Sequence, residues 1–101
     1  MIMNYPALAA DAYSEIIYPG EHEGFSLTYS WTGTLLGPLY LQARNDPLET
    51  FMTLSEIVIS AAPNGSAGQG SLVLSDTYHK EYRMFFDFTS GAGNLEMRVN
   101  Y

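Results

Sequence analysis

The chain has no cysteine, so neither a disulfide nor thiolate chemistry is open to it. Cations are also scarce: four Lys and Arg stand against eleven Asp and Glu, for a net charge of −7. Arg44, Lys80, Arg83 and Arg98 are scattered, and residues 1–43 hold Asp11, Glu15, Glu21 and Glu23 with no cation at all. Displacing counterions from phosphate takes a basic stripe, so nucleic acid is not an expected partner. An acidic surface instead favours solubility or a basic patch on a protein partner. No apolar run approaches the length of a membrane span, and no membrane partner is expected. The opening Met1-Ile2-Met3-Asn4-Tyr5 has neither a basic stretch nor a long apolar core, so a secretion signal is not expected there. Only 15% of residues are charged, which disfavours long solvated helices.

What the chain does have is apolar and aromatic. The hydrophobic share is 47%, with eight Tyr and five Phe, a composition that suits one packed, sheet-rich domain. Its 101 residues allow a single core. Strand signals recur as strict alternation. In Phe25-Ser26-Leu27-Thr28-Tyr29-Ser30-Trp31 each odd position is large and apolar, so one face is buried. Thr32-Gly33-Thr34 and Gly37-Pro38 punctuate, and Leu39, Leu41 and Ala43 then read as the antiparallel partner of that strand.

Asn45-Asp46-Pro47 reads as a turn, the β-branched run at 57–59 as a strand, and 61–70 as a long loop. Ser71–Leu74 is a short strand. Tyr82, Met84, Phe86 and Phe88 form an inward row opposite Arg83, Phe85 and Asp87. After a turn at 89–94, Leu95, Met97, Val99 and Tyr101 alternate to the end. With a further strand around Tyr13 to Tyr18, this predicts an all-β domain: a small antiparallel β-sandwich, jelly-roll or Ig-like, of about seven strands. The sandwich is expected over 11–101, with residues 1–10 an N-terminal arm lying on a neighbouring molecule and removable without unfolding the domain.

Candidate chemistry is thin. Ser75, Asp76 and His79 are triad residue types, but crowded at one strand end they read as a capped turn. Glu21, His22 and Glu23 alternate faces and read as a solvated turn rather than metal ligands. Asn45, Asp46 and Glu49 offer too few oxygens for calcium, and an Asx turn is the expectation. Gly65, Gly68 and Gly70 lack the Lys and helix of a phosphate loop. No catalytic residue, metal site or cofactor is therefore expected, and the chain reads as a non-enzyme. Tyr40 and Phe85 fall opposite their strands' buried rows. With Tyr5 on the arm, they are the candidate partner-binding residues, for a protein surface first and a sugar second.

A resemblance runs through residues 24–99. The stretch Phe25 to Thr34, then Gly37 and Leu39-Tyr40-Leu41-Gln42-Ala43-Arg44-Asn45-Asp46, is similar to a pattern in small structural proteins of tailed and related bacteriophages. Tyr82-Arg83 and Thr89-Ser90-Gly91-Ala92-Gly93-Asn94-Leu95 fit its second half, as a Tyr-Arg strand and a Ser-Gly-x-Gly hairpin. The pattern usually has Ser before Asn-Asp where this chain has Arg44, and Trp near the position of Phe51. The resemblance implies a decoration, cement or head-fibre type of β-sandwich. It would be assembled in the bacterial cytoplasm, carried on the virion, and bound to the major capsid protein or other virion subunits. It also implies a homo-oligomer, with a trimer one option. The alternative reading is a carbohydrate- or host-receptor-binding β-sandwich.

Overall fold

The structure, a computed structural model, describes residues 2–20, 24–60, 68–74 and 79–100. Eight strands build two four-stranded antiparallel sheets. They are β1 (Ile2–Leu8), β2 (Ala12–Tyr13), β3 (Phe25–Gly33), β4 (Leu36–Arg44), β5 (Met52–Ser60), β6 (Gly68–Leu74), β7 (Glu81–Phe86) and β8 (Gly93–Asn100). One sheet runs β1-β8-β3-β6 and the other β2-β7-β4-β5. First pairs with last, second with seventh, third with sixth and fourth with fifth, as in one long hairpin wrapped around a core. That is the jelly-roll topology, and it decides between the two sandwich types expected.

The inward rows are those the alternation predicts. Leu39, Leu41 and Ala43 of β4, Tyr82, Met84 and Phe86 of β7, and Leu95, Met97 and Val99 of β8 are all buried. Phe25 and Leu27 join them from β3, and Ile59 from β5. Farther along β3, Tyr29 and Trp31 lie over Gly70 and Gly68 of the edge strand β6, where any Cβ would strike the rings. The two glycines are thus places where aromatic rings cross a strand, not part of a phosphate loop.

Pairing departs from expectation. β4 is not the antiparallel partner of β3, because the two lie in different sheets, joined across the sandwich edge at Thr34-Leu35. The Ser-Gly-x-Gly turn likewise carries the chain from β7 in one sheet to β8 in the other, so it closes no hairpin. Among the described strands, β4 and β5 are the one consecutive pair to share a sheet. Alternation reports which face a side chain takes, and both arrangements satisfy it equally.

Residues 1–10 are not a free arm: Ile2–Leu8 is the edge strand β1, paired with β8 from Ile2 opposite Arg98 to Leu8 opposite Gly93. Met3 is buried and Tyr5 half-buried, while Ile2 and Asn4 face out. The pattern was short because the register shifts between Tyr5 and Leu8, around Pro6 and an Ala7 with φ of 50°. A proline and a bulge on an edge strand also discourage unwanted pairing. Removing residues 1–10 would take Met3 out of the core, so the truncated domain is not expected to stay intact.

Pro38 does not interrupt β4 either. It lies where β7 has left the ladder, with Asp87 N–H donating to the Pro38 carbonyl at 2.9 Å. Pro38 has no N–H to return, and the Asp87 carbonyl lies against Gly37, the residue without a Cβ to obstruct it.

The strand expected at 13–18 is only the two residues of β2, followed by a bridge from Ile17 to Tyr82. Ser14 ends the regular ladder: its buried hydroxyl accepts the Met84 N–H at 2.7 Å. Ser14→Ala would leave that N–H buried without its partner. Urea unfolding should show a loss of about 1–3 kcal/mol, the cost of an unsatisfied buried donor.

Candidate functional site

Since the inner faces are filled, surface chemistry falls to the two outer faces. On β2-β7-β4-β5, Tyr13 pairs with Phe85 across β2 and β7, and Phe85 with Tyr40 across β7 and β4. The rings stack as a ladder, Tyr13 to Phe85 at 4.5 Å and Phe85 to Tyr40 at 6.1 Å between centroids. Tyr40 then faces Glu56 on β5. Two of the expected contact residues, Tyr40 and Phe85, are therefore neighbours. Because β2 and β4 flank β7 on opposite sides, both faces of the Phe85 ring are taken by other rings. The ladder offers ring edges rather than a flat platform, which suits a protein surface better than a sugar ring.

One flank of the ladder, along the strands, is basic. Arg83 pairs with Gln42 across the strands, its Nε donating to Gln42 Oε1 at 2.8 Å. Gln42 Nε2 in turn donates to Thr53 Oγ1 at 3.3 Å. The Arg83 guanidinium lies 4.6 Å from the Tyr13 ring centre and 4.1 Å from that of Phe51, which Arg44 also approaches at 4.2 Å. Arg44 is neutralised by the buried Glu81 at 3.1 Å. Arg83 forms no ion pair among the described residues. Burial lowers its pKa, opposed by Tyr13 and reinforced by Arg44.

The opposite flank is acidic and apolar. Desolvation raises the Tyr40 phenol above its ordinary value of 10.0, with the Glu56 and Asp87 carboxylates adding to the shift. Val58, opposite Pro38, is 62% exposed, and Tyr13 at the far side of the ladder 51%.

Tyr5 is not part of this face. Its hydroxyl donates to the Tyr13 carbonyl at 2.5 Å, tying β1 of one sheet to β2 of the other. Burial, then Glu15, raises its pKa. Tyr13, Phe51, Arg83 and Val58 share this face but are not among the residues the sequence singles out. Val58 and Arg83 were legible from strand alternation. Tyr13 needed the register of β2, and Phe51 the course of its loop.

The remaining candidates divide. Asp46 closes the expected Asx turn, its carboxylate accepting the Leu48 N–H at 2.8 Å and its carbonyl the Glu49 N–H at 2.9 Å. Asn45 Oδ1 accepts the Lys80 N–H at 3.2 Å. Ser75, Asp76, Gly65 and residues 21–23 lie outside the described residues. His79 is edge-on to Tyr82, with ring centres 5.8 Å apart.

The outer face of β1-β8-β3-β6 is different in kind. A cleft of about 470 Å³ runs along β3, whose outward residues there are the short Thr28 and Ser30. Longer side chains flank it, Gln69 and Ser71 on β6 and Glu96 and Arg98 on β8. Arg98 and Glu96 pair at 3.3 Å, and Tyr29, which packs against the core, also borders the cleft.

No protein-family model matches the chain, and no curated protein matches it.

The electrostatics of Tyr40 can be checked directly. A phenol with a raised pKa keeps its proton in the fold where the unfolded chain would lose it. Its stabilisation is complete below pH 10.0 and declines as pH rises through the raised value. Absorbance titration should show a late-ionising component, shared with Tyr5, that shrinks in Tyr40→Phe. Asp87→Asn should move that component toward lower pH.

Proposed function

We propose that this chain is a non-enzymatic structural protein of a bacteriophage virion, which docks other virion subunits through the outer face of β2-β7-β4-β5. The major capsid protein is the foremost partner, and the protein would be assembled in the bacterial cytoplasm and carried on the particle. The observation that carries the reading is the aromatic ladder Tyr13–Phe85–Tyr40, with Val58 exposed beside it. Tyr13 is exposed and Phe85 and Tyr40 are half-buried, and aromatics with an arginine are the residue types that anchor protein interfaces. Two further points support it. The similarity to small phage structural proteins spans residues 24–99, and the jelly roll is an architecture that viral capsid domains use, as lectins and cupins also do. Fold alone does not select among these, so the ladder and the resemblance carry the weight.

Co-sedimentation with capsids of the phage that encodes the chain tests the reading. Saturable, stoichiometric binding is expected. Phe85→Ala should weaken it by roughly 30-fold, the size of one interface anchor of about 2 kcal/mol. Unchanged binding by Phe85→Ala would move the contact elsewhere on the molecule, and no binding by the unaltered chain would remove the capsid role.

A second reading, saccharide or receptor binding, finds its support on the opposite face. The side chains of Thr28, Ser30, Gln69 and Ser71 line the cleft and offer hydroxyls and an amide to a polyol. On a glycan array this reading expects a signal lost in Glu96→Gln and kept in Phe85→Ala. A blank array would dispose of it.

A further inference from the structure

The charges around the aromatic ladder are not random with respect to it. Arg83, Phe85 and Asp87 follow one another at alternate positions along β7 and just past its end, so all three face outward. Phe85 is the midpoint, with the cation and the carboxylate each about 7 Å from it along the strand. Asp87 remains alongside β4 through its bond to Pro38, and its charge is felt at the Tyr40 phenol. Neither Arg83 nor Asp87 has an ion-pair partner among the described residues. The ladder crosses β7 through that midpoint, running from Tyr13 to Tyr40.

A face with this arrangement complements itself. A two-fold axis lying along the ladder reverses β7 in the facing copy. Phe85 then meets Phe85, and Arg83 of each copy meets Asp87 of the other. We propose that the outer face of β2-β7-β4-β5 joins two copies of this chain about such an axis, the aromatic ladder packing on itself between two reciprocal Arg83–Asp87 pairs. In the free chain the occupant of the docking face is thus a second copy, which the virion subunits displace on the particle, and the inference rests on the docking reading above.

Closed two-fold pairs are the commonest protein assemblies, and they require this kind of self-complementarity. An axis along the strands would instead set Arg83 against Arg83. Each chain carries −7, so copies repel in general, and the reciprocal pairs offset that repulsion in this orientation. Glu56 continues the ladder at its edge and faces its own copy there, a like-charge contact at the rim. The arrangement is a pair rather than the trimer considered from the resemblance.

Sedimentation velocity on the intact chain, across a wide concentration range, is the test. The unaltered chain is expected to dimerise. Arg83→Glu and Asp87→Arg, each alone, should weaken the dimer by about tenfold or more, because each sets like charges together at two places. An equimolar mixture of the two variants should recover dimer, since every 83–87 contact is then of opposite sign. Glu56→Gln should tighten it. If either reversal fails to fold, Arg83→Gln and Asp87→Asn should each weaken the dimer, and mixing the two should recover part of it, because the mixed dimer regains one of the two Arg83–Asp87 pairs. A chain that stays monomeric throughout, or variants that show no rescue on mixing, would overturn the two-fold pair. Capsid co-sedimentation separates that failure from failure of the docking reading: a monomer that still binds capsids through Phe85 keeps the face and loses the second copy.

Discussion

Two four-stranded sheets, each apolar on one side, have to cover each other, and most of the molecule follows from how the chain meets that requirement. β3 and β8 lie inside one sheet and β7 and β4 inside the other. Their inward rows supply most of the buried core, including Leu27, Leu41, Phe86 and Met97. Each sheet remains without cover until the other forms, so the wrapping is a property of the whole chain. The ends of the wrap are then fastened by polar contacts: Tyr5 reaches the Tyr13 carbonyl between the sheets, and Ser14 takes the Met84 N–H.

With the inner faces committed to packing, recognition is left to the outer ones, and these have opposite characters. On β2-β7-β4-β5 the polar side chains hold one another, Arg83 to Gln42 to Thr53 and Arg44 to Glu81, and aromatic edges fill the space between. Such a surface is ordered before it meets anything, which lowers the entropy cost of association. On β1-β8-β3-β6 the central strand presents short hydroxyls between longer side chains, a polar trough. The first surface suits a protein partner and the second a hydroxylated ligand, so the two functional readings belong to separate places.

The charge distribution sharpens the contrast with composition. A chain at −7 suggests an acidic surface seeking a basic partner. Locally, the docking face is bipolar. Arg83 and Arg44 stand at one end with Glu81 neutralising the second, and Glu56 and Asp87 gather near Tyr40 at the other. Net charge sets the general repulsion between copies, whereas the placement of Arg83 and Asp87 around Phe85 sets their orientation.

Side-chain direction was the part of the fold legible in the residues, because a strand turns alternate side chains to opposite faces whatever it pairs with. The buried rows of β4, β7 and β8 and the outward Tyr40 and Phe85 follow from that period alone. Local chemistry was legible as well, as in the Asx turn closed by Asp46. Where the local pattern was broken, the reading failed: β1 was obscured by Pro6 and the bulge at Ala7, and β2 by Ser14 standing in for backbone. Neighbour relations were not local at all. β3 and β4 alternate as a hairpin would, yet they cross between sheets, since burial rewards covering an apolar face and is indifferent to which strand does it. By itself, then, the sequence determined an all-β chain with its faces assigned, through the two-residue period. Only the tertiary structure decided the jelly-roll order, the strand status of residues 2–8 and the meeting of Tyr13, Phe85 and Tyr40, because each depends on register between segments far apart in the chain.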